Sequence, residues 1–209
     1  MSSPRPSPTR RRPYAARMPL GQRREQLLDA ALALIVRDGY GAVSIDAVAT
    51  EAGVSRPVVY GAFDDLTTLL ETLLDRQEER AMGQVLDVLL DHGVDRGAGD
   101  VARELAVRVL ADPMTWRPIL ATSSVAPRAV RVRIGADRER VRRRVTVMMR
   151  GRLGPDGGGL DPEILGHALL GMAENIGRVL LEEPASVDVD RLAATVDAVF
   201  AAVHDRARS

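Results

Sequence analysis

The chain has 209 residues, enough for one domain or two small ones, and its 45% of hydrophobic residues is ordinary for a folded globular protein. It has no cysteine, which excludes disulfides, thiol catalysis and zinc–cysteine sites. No apolar run approaches the roughly 18 residues that span a bilayer, and the N-terminus lacks the apolar stretch of a secretory signal. We therefore expect a cytoplasmic protein with no membrane partner.

The formal net charge is zero, but it is divided unevenly along the chain. Residues 1–60 hold nine arginines and five acidic residues, a charge of +4, which the remainder balances. This basic end indicates a polyanionic partner, or else an arginine-rich tail without one. Four prolines between positions 4 and 13 predict a flexible basic arm over residues 1–20. Such an arm can lie along DNA.

Residues 21–65 have the pattern of three short helices. Apolar residues recur at helical spacing from Gly21 to Asp38, and Gly39 follows where a left-handed stop is expected. Ser44 can cap a second helix, and its hydroxyl beside free backbone amides makes it a candidate anion contact.

A third helix is predicted over Arg56 to Phe63, with Ser55 as its cap and Pro57 in its first turn. The spacing of Tyr60 and Phe63 predicts one aromatic side on this helix. The preceding turn contains Gly53, which permits a positive φ angle. Two short helices around such a turn predict a helix-turn-helix, although an αα-corner inside an unrelated bundle has the same pattern.

Twenty-one positions between residues 23 and 70 have a distinctive order and spacing. They are Gln26-Leu27-Leu28-Asp29-Ala30-Ala31, Gly39-Tyr40, Ser44-Ile45, Val48-Ala49, Ala52-Gly53-Val54-Ser55, Val59-Tyr60, Phe63 and Leu69-Leu70. This series resembles the N-terminal domain of TetR (tetracycline-repressor-like) transcriptional regulators. Two positions depart from the pattern: Leu66 replaces the usual lysine, and Gly61 is smaller than the usual residue, so two expected DNA contacts are in doubt.

The resemblance implies an all-α fold with two parts. An N-terminal three-helix helix-turn-helix domain would cover residues 21–65, and a C-terminal helical ligand-binding and dimerisation domain would cover residues 66–209.

A recognition helix presents its N-terminal residues to base edges in the major groove. Arg56 can hold guanine O6 and N7 with two hydrogen bonds, worth about 1–3 kcal/mol against a wrong base. Pro57 and Val58 offer apolar contacts, and the resemblance implies that Tyr60 donates its hydroxyl to a phosphate. The DNA-binding candidates, including two arginines of the first helix that would flank a phosphate strand, are Arg11, Arg12, Arg23, Arg24, Ser44, Ser55, Arg56, Pro57, Val58 and Tyr60.

The C-terminal part predicts further helices, separated by glycine and proline. From Pro127 onward, strand-like alternation competes with helical spacing, and we expect a helix because the helical pattern extends further. Trp116 lies in a short segment that Pro118 closes. The helices are expected over residues 66–92, 101–111 and 163–182 and from residue 188 or 190 onward, with a loop over residues 150–159.

One recognition helix with one base-reading arginine gives too little selectivity, so a palindromic operator and a homodimer are expected. The small and aliphatic faces of the last two helices resemble the family's dimer interface, although packing within one chain would use the same faces. The dimer candidates are Ile164, Ala168, Gly171, Leu192, Val196, Val199 and Val203.

A regulator of this family would hold a small molecule between its C-terminal helices, and the many aliphatic residues favour an apolar or amphipathic one. The ligand candidates are Leu86, Leu110, Trp116, Leu120, Met148, His167, Met172 and Asn175. The arginines between Arg138 and Arg144 form a solvated face, bind an anionic ligand or contact DNA a second time.

An enzyme is the weakest alternative, because the three histidines lie far apart and neither a nucleophile turn nor paired carboxylates are recognisable. We expect no catalytic residue, metal or cofactor. The sequence predicts a ligand-responsive DNA-binding regulator, a repressor in the first instance. Its partners would be double-stranded DNA, a small molecule and a second copy of the chain. A constitutive architectural DNA-binding protein is the main alternative.

Overall fold

The computed structural model describes residues 18–90, 97–121, 126–153 and 159–208, without the side chains of Arg152 and residues 206–208. These ranges contain helices and no strand, which confirms the all-α expectation. The helices are α1 (Leu20–Asp38), α2 (Ile45–Glu51), α3 (Arg56–Tyr60), α4 (Leu66–Leu90), α5 (Ala98–Ala111), α6 (Pro113–Leu120), α7 (Arg128–Leu153), α8 (Pro162–Glu182) and α9 (Val189–Arg208). Of the arm predicted over residues 1–20, residues 1–17 lie outside the described residues, and Leu20 already begins α1.

Local capping sets the ends of the first helices. Gly39 ends α1 with a φ of 79°, but its ψ of 174° is extended rather than left-handed helical as expected. A 3₁₀ turn, Tyr40–Ala42, leads to Ser44, whose hydroxyl accepts a hydrogen bond from the Ala47 amide at 3.1 Å and caps α2 as predicted.

The core of the N-terminal part continues onto two later helices. Leu27 of α1, Val48 of α2 and Val59 of α3 are fully buried in one apolar cluster. The same cluster contains Leu69–Leu74 of α4 and Val130 of α7. The domain boundary predicted near residue 65 therefore has continuous packing across it.

Helix α6 joins the two parts through hydrogen bonds to helix ends. The Arg117 guanidinium donates to the Val36 carbonyl of α1 at 3.1 Å and to the Leu181 carbonyl of α8 at 3.0 Å. The buried Tyr40 hydroxyl donates to the Pro118 carbonyl at 2.9 Å. Since the last carbonyls of a helix lack partners within it, Arg117 completes α1 and α8 at once.

Helices α5 and α9 pack closely through a carboxylate that binds a helix start. Asp197 of α9 accepts a hydrogen bond from the Gly99 amide in the first turn of α5 at 2.6 Å. A Cβ atom at residue 99 would lie 2.3 Å from the Ala193 carbonyl oxygen and from an Asp197 carboxylate oxygen. Glycine is therefore required at this crossing.

Several predicted boundaries are confirmed and others are wrong. Residues 128–153 form a helix as expected, but α7 continues to Leu153, into the loop predicted from residue 150. Asp161 caps α8 by accepting from the Glu163 amide at 2.7 Å. Pro118 lies inside α6, as its sixth residue, rather than closing a short segment. Its ring nitrogen has no hydrogen to donate, so α6 lacks one backbone hydrogen bond there. The remaining loop residues, 154–158, lie outside the described residues.

The inward face of α4 changes along the helix. Helical spacing alone predicts one apolar stripe on α4 from Leu69 to Leu89. It is buried through Leu74, but Met82, Leu86 and Leu89 are exposed. Gln77, Ala81 and Val88 occupy the buried positions instead. A sequence stripe of leucines identifies the wrong face here, because buried positions on this half of α4 include a polar and a small residue.

By length and composition, α8 is the one described helix that could cross a membrane, with a mean hydropathy of 1.2 over its 18-residue window. A helix in the core of a soluble protein passes the same test. Only 22% of that window is buried in the single chain, so α8 presents an apolar surface that its own chain leaves uncovered.

A cluster of charged groups connects α4 to α7. Arg133 of α7 contacts Asp75 at 2.7 Å and Glu78 at 3.1 Å on α4, and Asp137 on its own helix at 2.6 Å. Burial and a hydrogen bond with Asp137 raise the pKa of Glu78 to about 7. The pKa of Asp137 is lowered. Burial acts to raise it, but hydrogen bonds from Glu78 and Arg133 act to lower it and outweigh the burial.

Other groups around this carboxyl pair set its charge balance. Arg140 contacts Asp137 at 2.5 Å, and Tyr40 lies close enough to Glu78 for its own pKa to be raised, chiefly by burial and then by that carboxyl. Below neutral pH the protonated Glu78 carboxyl therefore donates a hydrogen bond to the Asp137 carboxylate. Above neutral pH two carboxylates face each other.

We predict that stability falls as pH rises through this window. Because the folded-state pKa of Glu78 is raised, its contribution is present below its ordinary value near 4.5 and is lost as pH approaches 7. Glu78→Gln keeps a donor to Asp137 at every pH. It should remove about 1 kcal/mol of the decline in unfolding free energy between pH 5 and pH 8, measured by urea denaturation. Glu79→Gln, at an exposed neighbour, should retain the wild-type slope; equal slopes in all three proteins would contradict the assignment.

Candidate nucleic-acid interface

The turn between α2 and α3 is closed by backbone hydrogen bonds. The Val54 amide donates to the Ala49 carbonyl at 2.9 Å, and the Gly53 amide donates to the Thr50 carbonyl at 3.1 Å. Gly53 has a φ of 65°, as the sequence predicted. Val54 packs partly on the core. These contacts are those of a helix-turn-helix.

Helix α3 is anchored on one side and exposed on the others. Val59 is fully buried, Val58 is half-buried, and Arg56, Pro57 and Tyr60 are exposed. Five residues form little more than one turn, so one inward residue leaves the rest of the helix available to a partner.

Two expectations for α3 are wrong. The helix ends at Tyr60, and Phe63 is buried while Tyr60 is 49% exposed, so the helix has no aromatic side. Phe63 instead closes the core after the helix has ended. Ser55 has the extended backbone of a cap residue, but its side chain accepts no hydrogen bond from α3.

Arg56 is held at the start of α3 by two neighbours. Its Nε lies 3.1 Å from a carboxylate oxygen of Asp46, in the first turn of α2. A hydrogen bond to the Tyr60 hydroxyl, and then the Asp46 charge, raise the pKa of Arg56. The guanidinium therefore remains a cation and has a defined orientation on the protein surface.

The two arginines predicted to flank a phosphate strand have different surroundings. Arg24 is turned inward, because its guanidinium donates to the Ala62 carbonyl and lies 4.2 Å above the Phe63 ring. These contacts give Arg24 a structural role, and because its side chain is only half-buried, its role as a DNA contact stays a prediction. Arg23 donates to the Gln26 side chain at 2.5 Å and is only half-buried. It remains a candidate.

Leu66 packs against the core where the resemblance led us to expect lysine. The acid before it, Asp65, accepts a hydrogen bond from the Thr68 amide at 2.7 Å and so caps α4. This hydrogen bond also lowers the pKa of Asp65. The negative charge at this corner thus stabilises the helix that leaves the DNA-binding part.

The ligand candidates divide into two groups. Leu110, Trp116 and Leu120 lie in or against a second apolar cluster of α5, α6 and α8. The Trp116 indole donates to Gln84 at 2.8 Å. The remaining candidates are exposed, so the structure corrects their predicted place inside the domain; they are Leu86, Met148, His167, Met172 and Asn175.

The error at Met148 has a clear origin. Met149 is buried and Met148 is 47% exposed, because α7 packs first against α4 and then against α8, and its inward face rotates between them. With Leu165, Leu169 and three residues of α9, Met149 lines a shallow apolar cleft that is partly open to solvent and too narrow to hold a water molecule.

Gln77 is a candidate ligand-binding residue that the sequence analysis missed. It lies on α4 with its side chain fully buried, and within the described part of the chain neither its amide nitrogen nor its carbonyl oxygen has a hydrogen-bond partner. A buried unpaired donor or acceptor costs about 1–3 kcal/mol. No periodic pattern signals this, since a glutamine within a polar stretch usually faces water.

The dimer candidates also divide between surface and interior. Ile164 is 66% exposed, and Ala168, Gly171 and Val199 are exposed as well. Val196 is buried. Leu192 packs on the second cluster, and Val203 lines the apolar cleft. These last three belong to the protomer's own packing, because α9 directs its larger aliphatic residues inward.

The arginine cluster on α7 is largely neutralised by carboxylates. Arg138 contacts Glu174 of α8 at 2.9 Å, and Arg142 and Arg143 both contact Glu139 at 2.6 and 2.9 Å. These two arginines lower the pKa of Glu139 to about 2. Ion pairs within one helix and with α8 support a solvated, structural face.

Comparisons with known proteins agree with this geometry. The profile of the family described as bacterial regulatory proteins, tetR family, matches residues 27–73. An uncharacterised HTH-type transcriptional regulator of Mycobacterium tuberculosis is 30% identical over 149 residues, which cover 68% of this chain and 61% of that protein. Residues 27–73 are therefore a tetR-family segment.

The tetR-family segment has a second relative in the transcriptional activator FasR of Mycolicibacterium smegmatis, 38% identical over 73 residues, 35% of this chain and 33% of FasR. The tetR-type fold extends further. The structure of NalD, the secondary repressor of a Pseudomonas aeruginosa multidrug efflux pump, has a TM-score of 0.62 at 21% identity, over 84% of this chain and 93% of NalD. A SmeT–triclosan complex has a TM-score of 0.61 at 21% identity, over 89% and 90% of the chains.

Proposed function

We propose that this protein is a tetR-family transcriptional repressor that binds an inverted-repeat operator as a homodimer and releases it when a small molecule binds. The observation that carries the proposal is α3, a short helix fixed by Val59 that exposes Arg56, Pro57 and Tyr60. These residue types suit guanine, thymine methyl and phosphate contacts respectively. Ser44 and Arg23 would add contacts to the backbone, with the basic arm.

The homodimer is supported by the uncovered surface of α8. Ile164, Ala168 and Gly171 recur at spacings of three and four residues, and all are exposed in the single chain. Small residues between larger apolar ones permit close helix packing. We propose that a second copy covers this face, which accounts for an apolar α8 in a cytoplasmic protein better than a membrane does.

Release by a small molecule is supported by the unpaired Gln77. An apolar or amphipathic molecule with one polar group would complete its hydrogen bonds inside the C-terminal part. FasR is named as an activator and NalD as a repressor, and the SmeT structure contains triclosan. A protein without an effector, the architectural alternative, would gain nothing from an unsatisfied buried amide.

The route from effector to DNA would run through α4 and α6. Arg76 of α4 contacts Glu25 and Asp29 of α1, each at 2.8 Å, so a displaced α4 pulls on the first helix. Arg117 connects α6 to the end of α1. A coupling of about 1–3 kcal/mol would change operator affinity roughly 5- to 150-fold, and DNA would weaken effector binding equally.

The DNA-binding part of the proposal predicts a selective effect of Arg56→Ala. With inverted repeats selected from random oligonucleotides as the operator, the variant should lose about 1–3 kcal/mol of its discrimination against a wrong base, because the bidentate guanine contact is lost. Arg11→Ala should chiefly make the salt dependence shallower. Fluorescence anisotropy over a salt series measures both. Undiminished selectivity in Arg56→Ala would disprove the base-reading role.

The dimer part predicts that Ala168→Glu yields monomers at micromolar concentration, because it buries an unpaired charge in the interface. Sedimentation velocity measures the association state. The control is Ala185→Glu, which places the same charge on an exposed turn after α8 and should leave the dimer intact. A dimer that survives Ala168→Glu would move the interface elsewhere.

The effector part predicts that Gln77→Leu stabilises the free protein while removing the response. Without its unpaired amide, the melting temperature should rise by about 2–4 °C. Compounds from an apolar and amphipathic panel that includes triclosan, if they stabilise wild type, should stabilise the variant less. Gln84→Leu breaks the bonds to Trp116 and Asp112 and should lower the melting temperature. Destabilisation by Gln77→Leu would refute this role.

A further inference from the structure

The contact between α2 and α3 suggests how the base-reading arginine obtains its selectivity. The Asp46 carboxylate approaches Arg56 on the Nε side of the guanidinium, with 3.1 Å between Oδ1 and Nε. A guanidinium has five N–H donors in a planar fork. With Nε engaged on the protein side, the terminal edge retains the paired donors that match guanine O6 and N7.

The ion pair between Arg56 and Asp46 is exposed to water, and a bound duplex would exclude that water. Both side chains are largely exposed, 57% for Arg56 and 65% for Asp46. An ion pair in that much water contributes little to folding. Once a duplex excludes the water, the same contact becomes stronger, because charges interact more strongly at low dielectric constant.

Tyr60 restrains the arginine from the other end of α3. Its hydroxyl oxygen accepts a hydrogen bond from Arg56. An oxygen that accepts from the guanidinium still has its own O–H to donate to a phosphate. The side chain proposed to contact the backbone therefore also restricts the rotamer of the side chain proposed to read a base.

We propose that Asp46 is a specificity-determining positioning residue, which fixes the Arg56 fork toward guanine at the expense of overall DNA affinity. The inference rests on the proposed DNA-binding function and adds to it a residue that does not itself touch a base. A carboxylate beside a polyanion repels phosphate, so Asp46 lowers the overall affinity for DNA while it orients the arginine.

The test compares Asp46→Ala with wild type on the selected operator and on a duplex in which the contacted guanine pair is replaced. Wild type should prefer the operator. In Asp46→Ala the preference should shrink about tenfold, because Arg56 samples several orientations. Affinity for the replaced duplex should rise about two- to threefold, because one repulsive charge is gone. Anisotropy titrations at several salt concentrations give both quantities.

Two variants separate positioning from charge and from folding. Asp46→Asn keeps an acceptor for Nε without the charge, so it should retain more selectivity than Asp46→Ala and gain similar non-specific affinity. Asp64→Ala removes an exposed acid from the same part of the chain and should leave selectivity unchanged. The melting temperature of each variant reports any loss of the α2 start.

The outcomes distinguish this inference from the function on which it rests. If wild type prefers its operator and Asp46→Ala prefers it equally, the positioning role is wrong and the regulator stands. If Asp64→Ala loses selectivity as much as Asp46→Ala does, the effect is one of charge alone and the inference also fails. If wild type enriches no duplex at all, the proposed DNA-binding function fails first.

Discussion

The fold depends on one apolar cluster that joins the N-terminal helices to α4 and to the first turns of α7. Val59 and Phe63, which hold the exposed α3 in place, are buried in the same cluster as Leu69 and Leu70 of α4. Val130 of α7 completes it. Close-packed interiors transmit displacement rather than absorb it. A shift in the C-terminal helices therefore reaches the DNA-binding surface through direct packing.

Polar contacts of three arginines also join the helices that pack around this cluster. Arg76 fixes α4 to α1, Arg117 fixes α6 to α1 and α8, and Arg133 fixes α7 to α4. Each guanidinium contacts two or more partners, so movement of one helix changes several contacts at once.

The sequence predicted the positions of the helices better than it predicted which face of each helix is buried. Helix positions followed from periodicity, caps and glycines, and Gly53 and Ser44 behave as expected because their effects are local. Contacts between distant residues were not predictable. Arg24 looked like a phosphate contact but stacks on Phe63, 39 residues later, and α7 rotates its buried face because it packs on two different helices. Gln77 escaped notice because burial of a polar side chain leaves no periodic signal.

The double role of Arg117 restricts what this position accepts. Its planar fork reaches the final turns of two helices that belong to different parts of the molecule. A lysine ammonium has no such fixed geometry, and its compact charge would favour one helix end over the other. An exchange of Arg117 for lysine would thus leave the end of α1 or of α8 without its hydrogen bond. The two helices together therefore require arginine at this position, which neither helix would require alone.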